Sequence, residues 1–381
     1  MNEDPKPCAA PPPRRSPYSL YHIYFYLTEG CNLACRHCWI APAFQAGEKT
    51  YPSLEVDLFR SIIAQAKPLG LGAVKLTGGE PLLHPRIADL IEIIKAEDLR
   101  FTMETNGVLC TPELARLMST CKNRFISVSL DGADSETHEW MRGVKGSFSE
   151  ALRGVQNLVE AGIRPQVIMT ILRRNREQME AVVRLAEKSG ASSVKFNLVQ
   201  PTARGKRMHE EQETLSIEEL VAAGRWVETT LAASTKIRVF YSHPAAFKPQ
   251  SRLFAPDGGC GICGIFGILG VLADGSYALC GIGEQVPELI FGHAAKDRLE
   301  DVWKENPILR EIREGLPARL EGICGACIMK RMCLGSCIAQ NYYTHKSLWA
   351  PFWFCDQAQQ AGVCPAARKG KEGLPRHAQL P

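Results

Sequence analysis

Between Tyr21 and about Val199, short runs of β-branched and aromatic residues alternate with longer stretches in which apolar residues recur every three to four positions. The short runs at 23–28, 73–77, 100–105, 125–130, 166–172 and 193–199 predict strands. The long ones predict amphipathic helices over 53–67, 86–97, 112–120, 148–162 and 175–190. Ser53, Thr111 before Pro112, and Ser147 are suitable caps, and Gly162 and Gly190 are suitable stops. Six successive βα units imply a parallel α/β sheet with right-handed crossovers. The count fits either a doubly wound sheet or a barrel left incomplete at six strands, and periodicity does not choose between them. The stretch 201–215 is polar and reads as a loop, followed by a helix from Ser216 to about Ala233.

From about Asp257 to Cys364 the texture changes to Gly, Cys and short turns. Its regular apolar pattern is too sparse to predict a large core, so metal sites are expected to hold it together. The expected division is a disordered segment 1–20, a main domain 21–235, a linker 236–258, a cysteine-rich domain 259–364 and a disordered basic tail 365–381. No apolar run approaches the roughly 20 residues of a membrane span. The net charge of +4 over 381 residues gives no nucleic-acid stripe and no membrane-binding patch.

Cysteine is where composition changes the picture. Fifteen cysteines behind an N-terminus that does not read as a signal peptide point to a reducing cytoplasm, and to metal or redox chemistry in place of disulfides. Three lie at Cys31, Cys35 and Cys38, nine fall between Cys260 and Cys364, and Cys8, Cys110 and Cys121 are scattered.

The first group sits in TEGCNLACRHCW, just past the first strand. Three thiolates over eight residues can wrap one face of a [4Fe–4S] cube and leave the fourth iron open to another ligand. A zinc knuckle or a redox pair uses similar spacings, but His37 beside Cys38 is poorly placed to complete a tetrahedron. Other strand ends carry polar Gly motifs. These are Thr77–Pro81 (TGGEP), Glu104–Gly107 (ETNG) and Ser129–Gly132 (SLDG), the last followed by His138 and Arg142. Gly78 and Gly79 would let backbone approach a ligand closely, Glu80 could take an ammonium group, and Arg142 suits a carboxylate. Parallel α/β folds bind ligands at this end of their strands.

CX3CX2C followed by GGEP resembles the radical S-adenosylmethionine (SAM) superfamily, over roughly residues 21–200. The resemblance implies a partial (β/α)6 barrel, with Cys31, Cys35 and Cys38 holding a [4Fe–4S] cluster whose fourth iron is chelated by SAM. It further implies that Gly78, Gly79, Glu80 and Pro81 meet the amino group of SAM, and that Ser129 and Arg142 meet its ribose and carboxylate end. Asn106 and Asp131 lie in matching motifs without an assigned contact. Reductive cleavage of SAM to methionine and a 5′-deoxyadenosyl radical, then hydrogen abstraction from substrate, is the implied chemistry, with a ferredoxin or flavodoxin as reductant.

Downstream, Gly275 to Cys280 is GX4C, and Cys324, Cys327, Cys333 and Cys337 form CX2CX5CX3C, with Cys260 and Cys263 before them and Cys355 after. Eight cysteines make two four-thiolate sites, of iron–sulfur or of zinc. The arrangement resembles the SPASM domain of radical SAM enzymes that mature peptides and proteins. That resemblance implies two auxiliary [4Fe–4S] clusters, one on Cys260, Cys263, Cys280 and Cys337, the other on Cys324, Cys327, Cys333 and Cys355. Cys364, Cys8, Cys110 and Cys121 are left as ordinary buried or tail thiols.

The expected substrate is therefore a peptide or protein. Sulfatase-maturing relatives carry Asp directly after the GX4C cysteine; Gly281 stands there and the nearest acid is Glu284, which argues against formylglycine formation. Only 30 residues precede Cys31, too few for the leader-binding domain many relatives carry, so the expectation is that either a separate leader-binding protein presents the peptide or the substrate is a folded or unusual protein. The basic stretch 203–208 is expected to be a solvated surface. Two rivals remain: a radical SAM enzyme acting on a tetrapyrrole side chain, and a non-catalytic iron–sulfur scaffold.

Overall fold

The structure is a computed structural model that describes residues 19–45, 47, 49–253, 263–368 and 370. All six expected strands form. They are β1 (His22–Tyr26), β2 (Ala73–Thr77), β3 (Arg100–Thr105), β4 (Phe125–Ser129), β5 (Gln166–Ile171) and β6 (Ser193–Leu198), and they pair in parallel in sequence order. Crossovers run through α1 (Val56–Ala66), α2 (Ile87–Ala96), α3 (Pro112–Ser119), the pair α4 (Ser135–Arg142) and α5 (Ser147–Glu160), and α6 (Met179–Lys188). Thr111 caps α3 through its hydroxyl, with Pro112 behind it, as expected.

The strands alternate between two kinds of environment. One face carries Ile23, Phe25, Val74, Leu76, Val194 and Phe196, each 0% exposed beneath the helices. The opposite face carries Tyr24, Lys75, Glu104, Lys195 and Asn197, all partly exposed. Glu104 on β3 feels the charges of both Lys75 on β2 and Lys195 on β6. Strands three places apart therefore share one interior, the geometry of an open barrel rather than a doubly wound sheet. A packed barrel core would put Val, Ile and Leu there; polar residues leave a chamber instead.

Three features differ from the expectations. The presumed linker 236–258 contributes a seventh parallel strand, β7 (Arg238–Tyr241), paired with β6 from Ser193 to Phe196. Four residues between polar flanks are too short a run to stand out by pattern. The presumed loop 201–215 contains α7 (Ala203–Glu210), ahead of the capping-box helix α8 (Ile217–Trp226). And the cysteine-rich region is joined to the barrel: β8 (Ile268–Val271) pairs in parallel with β1, and continues through β9 (Ser276–Ala278) and β10 (Ile290–His293) to complete a ten-stranded sheet.

That region also owns more core than its pattern suggested. Tyr277, Trp303 and Phe354 are fully buried in the same apolar cluster as the barrel helices. The helix Leu299–Glu305 packs on α1, and the Leu299 N–H donates to Gln65 Oε1 at 3.0 Å. The expected tail at 365–381 begins with a docked turn, Ala366–Arg368; Cys8, Cys260 and residues 1–18 of the expected disordered segment 1–20 lie outside the described residues, while Leu20 of that segment is buried. Among the described residues no helix is long and apolar enough to cross a membrane.

A core common to both halves predicts that Trp303→Ala, far from the cysteines in sequence, costs about 3–5 kcal/mol. Urea unfolding followed by one probe in the barrel and one in the C-terminal region checks this: both midpoints should fall together, whereas an unmoved barrel midpoint would mean that the halves are independent.

Candidate active site

The chain leaves β1 at Tyr26 and is pinned at once against the end of β2. Gly79 N–H donates to Thr28 O at 3.1 Å, Glu80 N–H donates to Gly30 O at 3.0 Å, and Thr28 Oγ1 donates to Gly30 O at 2.8 Å. A Cβ on Gly79 would stand 1.9 Å from Gly30 O. The glycine is thus required by the protein's own backbone, a reason independent of the ligand approach that the sequence suggested. The loop's two ends are tied by the short parallel pair Gly30–Cys31 and Ala43–Phe44. Its middle docks on the C-terminal carbonyls of α4, which accept from Ala34 N–H and Arg36 N–H at 3.0 Å each and would otherwise lack partners.

These restraints bring Cys31, Cys35 and Cys38 onto one cleft together with Gly78, Gly79, Glu80, Ser129 and Arg142. The cleft encloses about 980 Å³, its open mouth included, enough for a sizeable ligand. Pro81 does not line it; it starts the buried turn behind Glu80. Burial pushes the Cys31 and Cys35 thiols up, so a metal taking them as thiolates must displace protons.

Two carboxyls organise the cleft's polar wall. Glu80 is 1% exposed; it accepts from Thr105 Oγ1 at 2.5 Å, Asn106 N–H at 2.8 Å and Leu82 N–H at 3.1 Å. It clamps the end of β2 to the end of β3, which occupies most of the lone pairs an ammonium would use. Asp131 is fully buried and pairs with Arg142 Nε at 2.7 Å, with His37 Nε2 3.7 Å away. Burial alone would raise the Asp131 carboxyl, but Arg142, His37, the Thr170 N–H and His138 together outweigh it and hold the carboxyl below its ordinary value. Arg142 also points Nη1 at Cys35 Sγ, 3.6 Å away, leaving part of its fork for a ligand. Burial lowers His37 to about 4 against the pull of Asp131, so it is neutral at ordinary pH. Asn106, to which no contact was assigned, bonds Asn32 and lies 4.0 Å from Cys31 Sγ.

Several lining residues escaped the sequence reading. Thr170 and Asn197, at the ends of β5 and β6, extend the polar ring beyond the four motifs that carried glycine. Arg204 lay in a basic stretch expected to be solvated. Instead its N–H donates to Cys38 O at 3.2 Å and its guanidinium to Cys35 O at 3.2 Å and Pro42 O at 2.7 Å. Helical periodicity across 203–210, absent from the polar pattern, was the only signal that could have found it. Deeper in the chamber, Lys75 Nζ meets Glu104 Oε1 at 2.7 Å. Among the described residues no carboxylate lies within ion-pairing distance of Lys195, whose ammonium burial disfavours despite the pull of Glu104.

The remaining cysteines fall into two places. Cys263, Cys280 and Cys337 lie close enough to perturb one another electrostatically, with Lys75 nearby. Cys324, Cys327, Cys333 and Cys355 line one small cavity, and Cys364, expected to be a spare thiol, lines it too. Cys110 and Cys121 are in the apolar core, as expected. Gly281 faces Tyr26: a Cβ there would sit 2.2 Å from the ring, so an Asp at this position has no room.

The donor chemistry therefore fits a thiolate-bound cluster at 31–38 with an adjoining ligand. Glu80 supplies a pH test of its burial. Its folded value is pushed up to about 7 from 4.5, so the native state keeps a proton that the unfolded chain sheds, and its contribution to stability falls as pH rises from about 4.5 to 7. Glu80→Gln should gain on the unaltered protein across that window in urea unfolding at pH 5 and 7.5; a constant difference would place the carboxyl in a wetter site.

Residues 25–186 match the radical SAM superfamily. The chain is 29% identical to an AdoMet-dependent heme synthase of Methanosarcina barkeri, over 84% of this chain and 91% of that protein. It is 28% identical to a mycofactocin maturase of Mycobacterium tuberculosis, over 87% and 81% respectively. Among solved folds, Streptococcus suis SuiB bound to precursor peptide SuiA superposes with a TM-score of 0.69 at 17% identity, covering 88% of this chain and 76% of that one. The enzyme anSMEcpe with bound AdoMet and a peptide gives 0.67 at 16%, covering 89% and 95%. The partial barrel and the cysteine-rich region that follows it thus have the radical SAM and SPASM architecture, and residues 25–186 form a domain of the radical SAM superfamily.

Proposed function

We propose that this chain is a maturase that abstracts hydrogen from a peptide or protein substrate and so modifies it, by crosslinking, oxidation or a related change. The observation that carries this reading is the meeting of the three-cysteine loop, the Gly78–Gly79 turn and Arg142 on one open cleft above a polar chamber. The family implies a [4Fe–4S] cluster and SAM. Together they supply one-electron cleavage of SAM, which lets it take hydrogen from an unactivated carbon.

Around them this chain's residues hold and exclude. Cys31, Cys35 and Cys38 are the cluster ligands, and the Arg142 cation beside Cys35 balances thiolate charge. The Gly78–Gly79 backbone and Glu80 face the amino group of SAM, while Ser129 and the free part of Arg142 face its ribose and carboxylate. Two lysines against one glutamate make the chamber net positive, which favours a substrate bearing a carboxylate. The C-terminal cysteines complete the reading. Cys263, Cys280 and Cys337 with Cys260 hold one auxiliary [4Fe–4S] cluster, and Cys324, Cys327, Cys333 and Cys355 hold the other, as electron relays and staples. A ferredoxin or flavodoxin supplies the electron, and a separate leader-binding protein presents the peptide. The crowding of Gly281 by Tyr26 disfavours formylglycine formation.

A second reading, modification of a tetrapyrrole side chain, is favoured by the likeness to heme synthases; tetrapyrrole carboxylates would suit the same chamber. Reconstituted, reduced protein given SAM should change the mass of a small peptide encoded beside its gene and leave an iron tetrapyrrole untouched. Loss of carboxylate from the tetrapyrrole with no peptide change would replace the first reading by the second.

A further inference from the structure

The cavity near the C-terminus gathers more thiols than a [4Fe–4S] cube has irons. Cys324, Cys327, Cys333, Cys355 and Cys364 all line it, with Lys330 and Arg368 among them. Cys324, Cys327 and Cys333 come from a single segment of ten residues, so they supply three corners from one direction. The fourth has two claimants from the opposite segment. Cys355 lies in the helix Trp353–Gln360, and Cys364 follows four residues after its end. There the chain folds back, so that Cys364 N–H donates to Ala358 O at 3.1 Å. Ala358 is three residues on from Cys355, close to one helical turn, which places both cysteines along one side of the helix.

Cys364 is also held in place from beyond. The turn Ala366–Arg368 is fastened to the other wall of the cavity: Ile328 N–H donates to Arg368 O at 3.1 Å and Gly370 N–H to Ala326 O at 2.9 Å. A residue of a free tail would not be anchored on both sides.

We propose that Cys364 is an alternative ligand for the fourth corner of the second auxiliary [4Fe–4S] cluster, able to take the iron otherwise held by Cys355. The proposal rests on the reading that this cavity holds such a cluster. In the exchange the Cys364 thiol gives up its proton and forms an iron–sulfur bond; the Cys355 bond breaks and that sulfur takes a proton, so charge and iron count are unchanged. Lys330 and Arg368 offset the negative charge of whichever thiolate is bound.

The test is iron content after anaerobic reconstitution of the full chain, read with the visible absorbance of the clusters. The unaltered protein and a variant with Cys324→Ala, Cys327→Ala and Cys333→Ala combined check the underlying reading: about twelve and about eight irons are expected. If that triple variant keeps all the iron, or the unaltered protein binds only about eight, the cavity holds no cluster and that reading fails. Given that control, Cys355→Ala and Cys364→Ala should each keep about twelve, and the double variant should fall to about eight or fewer. A drop to about eight or below in Cys355→Ala alone, or about twelve in the double variant, overturns the role of Cys364.

Discussion

Everything at the mouth of this barrel hangs on the backbone clamp between the turn after β2 and the loop after β1. Gly79 and Glu80 each donate an N–H to that loop, at Thr28 and Gly30, and at position 79 the gap is too narrow for a Cβ. The clamp settles where Cys31 lies. The α4 carbonyls and Arg204 then settle where Cys35 and Cys38 lie. Three thiols from a loop of eight residues would otherwise wander over many conformations, at about 1–2 kcal/mol of entropy per ordered residue. Hydrogen bonds from four separate elements offset that cost before any metal arrives.

A second constraint is the division of labour between the two faces of the sheet. The outer face supplies the apolar burial, so the inner face is released from packing and can carry Lys75, Glu104 and Lys195. Buried charge is expensive unless paired. Of the pairings found here, Lys75 with Glu104 joins neighbouring strands and Arg142 with Asp131 joins the end of α4 to the turn after β4, and both stiffen the wall that faces the cleft. Because β8 and β9 extend the same sheet, the C-terminal cysteines sit at fixed positions relative to the first three, as electron transfer between clusters would need.

Much of this was legible in the sequence. Alternation located all six expected strands, because their outward residues are almost uniformly apolar. The strand-end motifs located one wall of the cleft, because glycine and polar residues interrupt that pattern where the chain turns. What stayed hidden depends on tertiary contact. Arg204 looked like a solvated charge because nothing local reveals that two carbonyls of the cysteine loop lie above it. β7 was too short to register. The glycines were recognised, but the backbone contact that requires Gly79 was not. Cys364 could not be separated from an ordinary tail thiol until the turn after it was seen docked against the segment of Cys327.

The central claim is that the cleft at the strand ends is where SAM meets a cluster held by Cys31, Cys35 and Cys38. The most direct measurement is 5′-deoxyadenosine formed from SAM by anaerobically reconstituted, reduced protein, beside the Cys31→Ala, Cys35→Ala and Cys38→Ala variant. The unaltered protein should produce it, and the triple variant should produce none while retaining its remaining iron. Production by the triple variant, or a reduced, iron-loaded native protein that leaves SAM intact, would contradict the account.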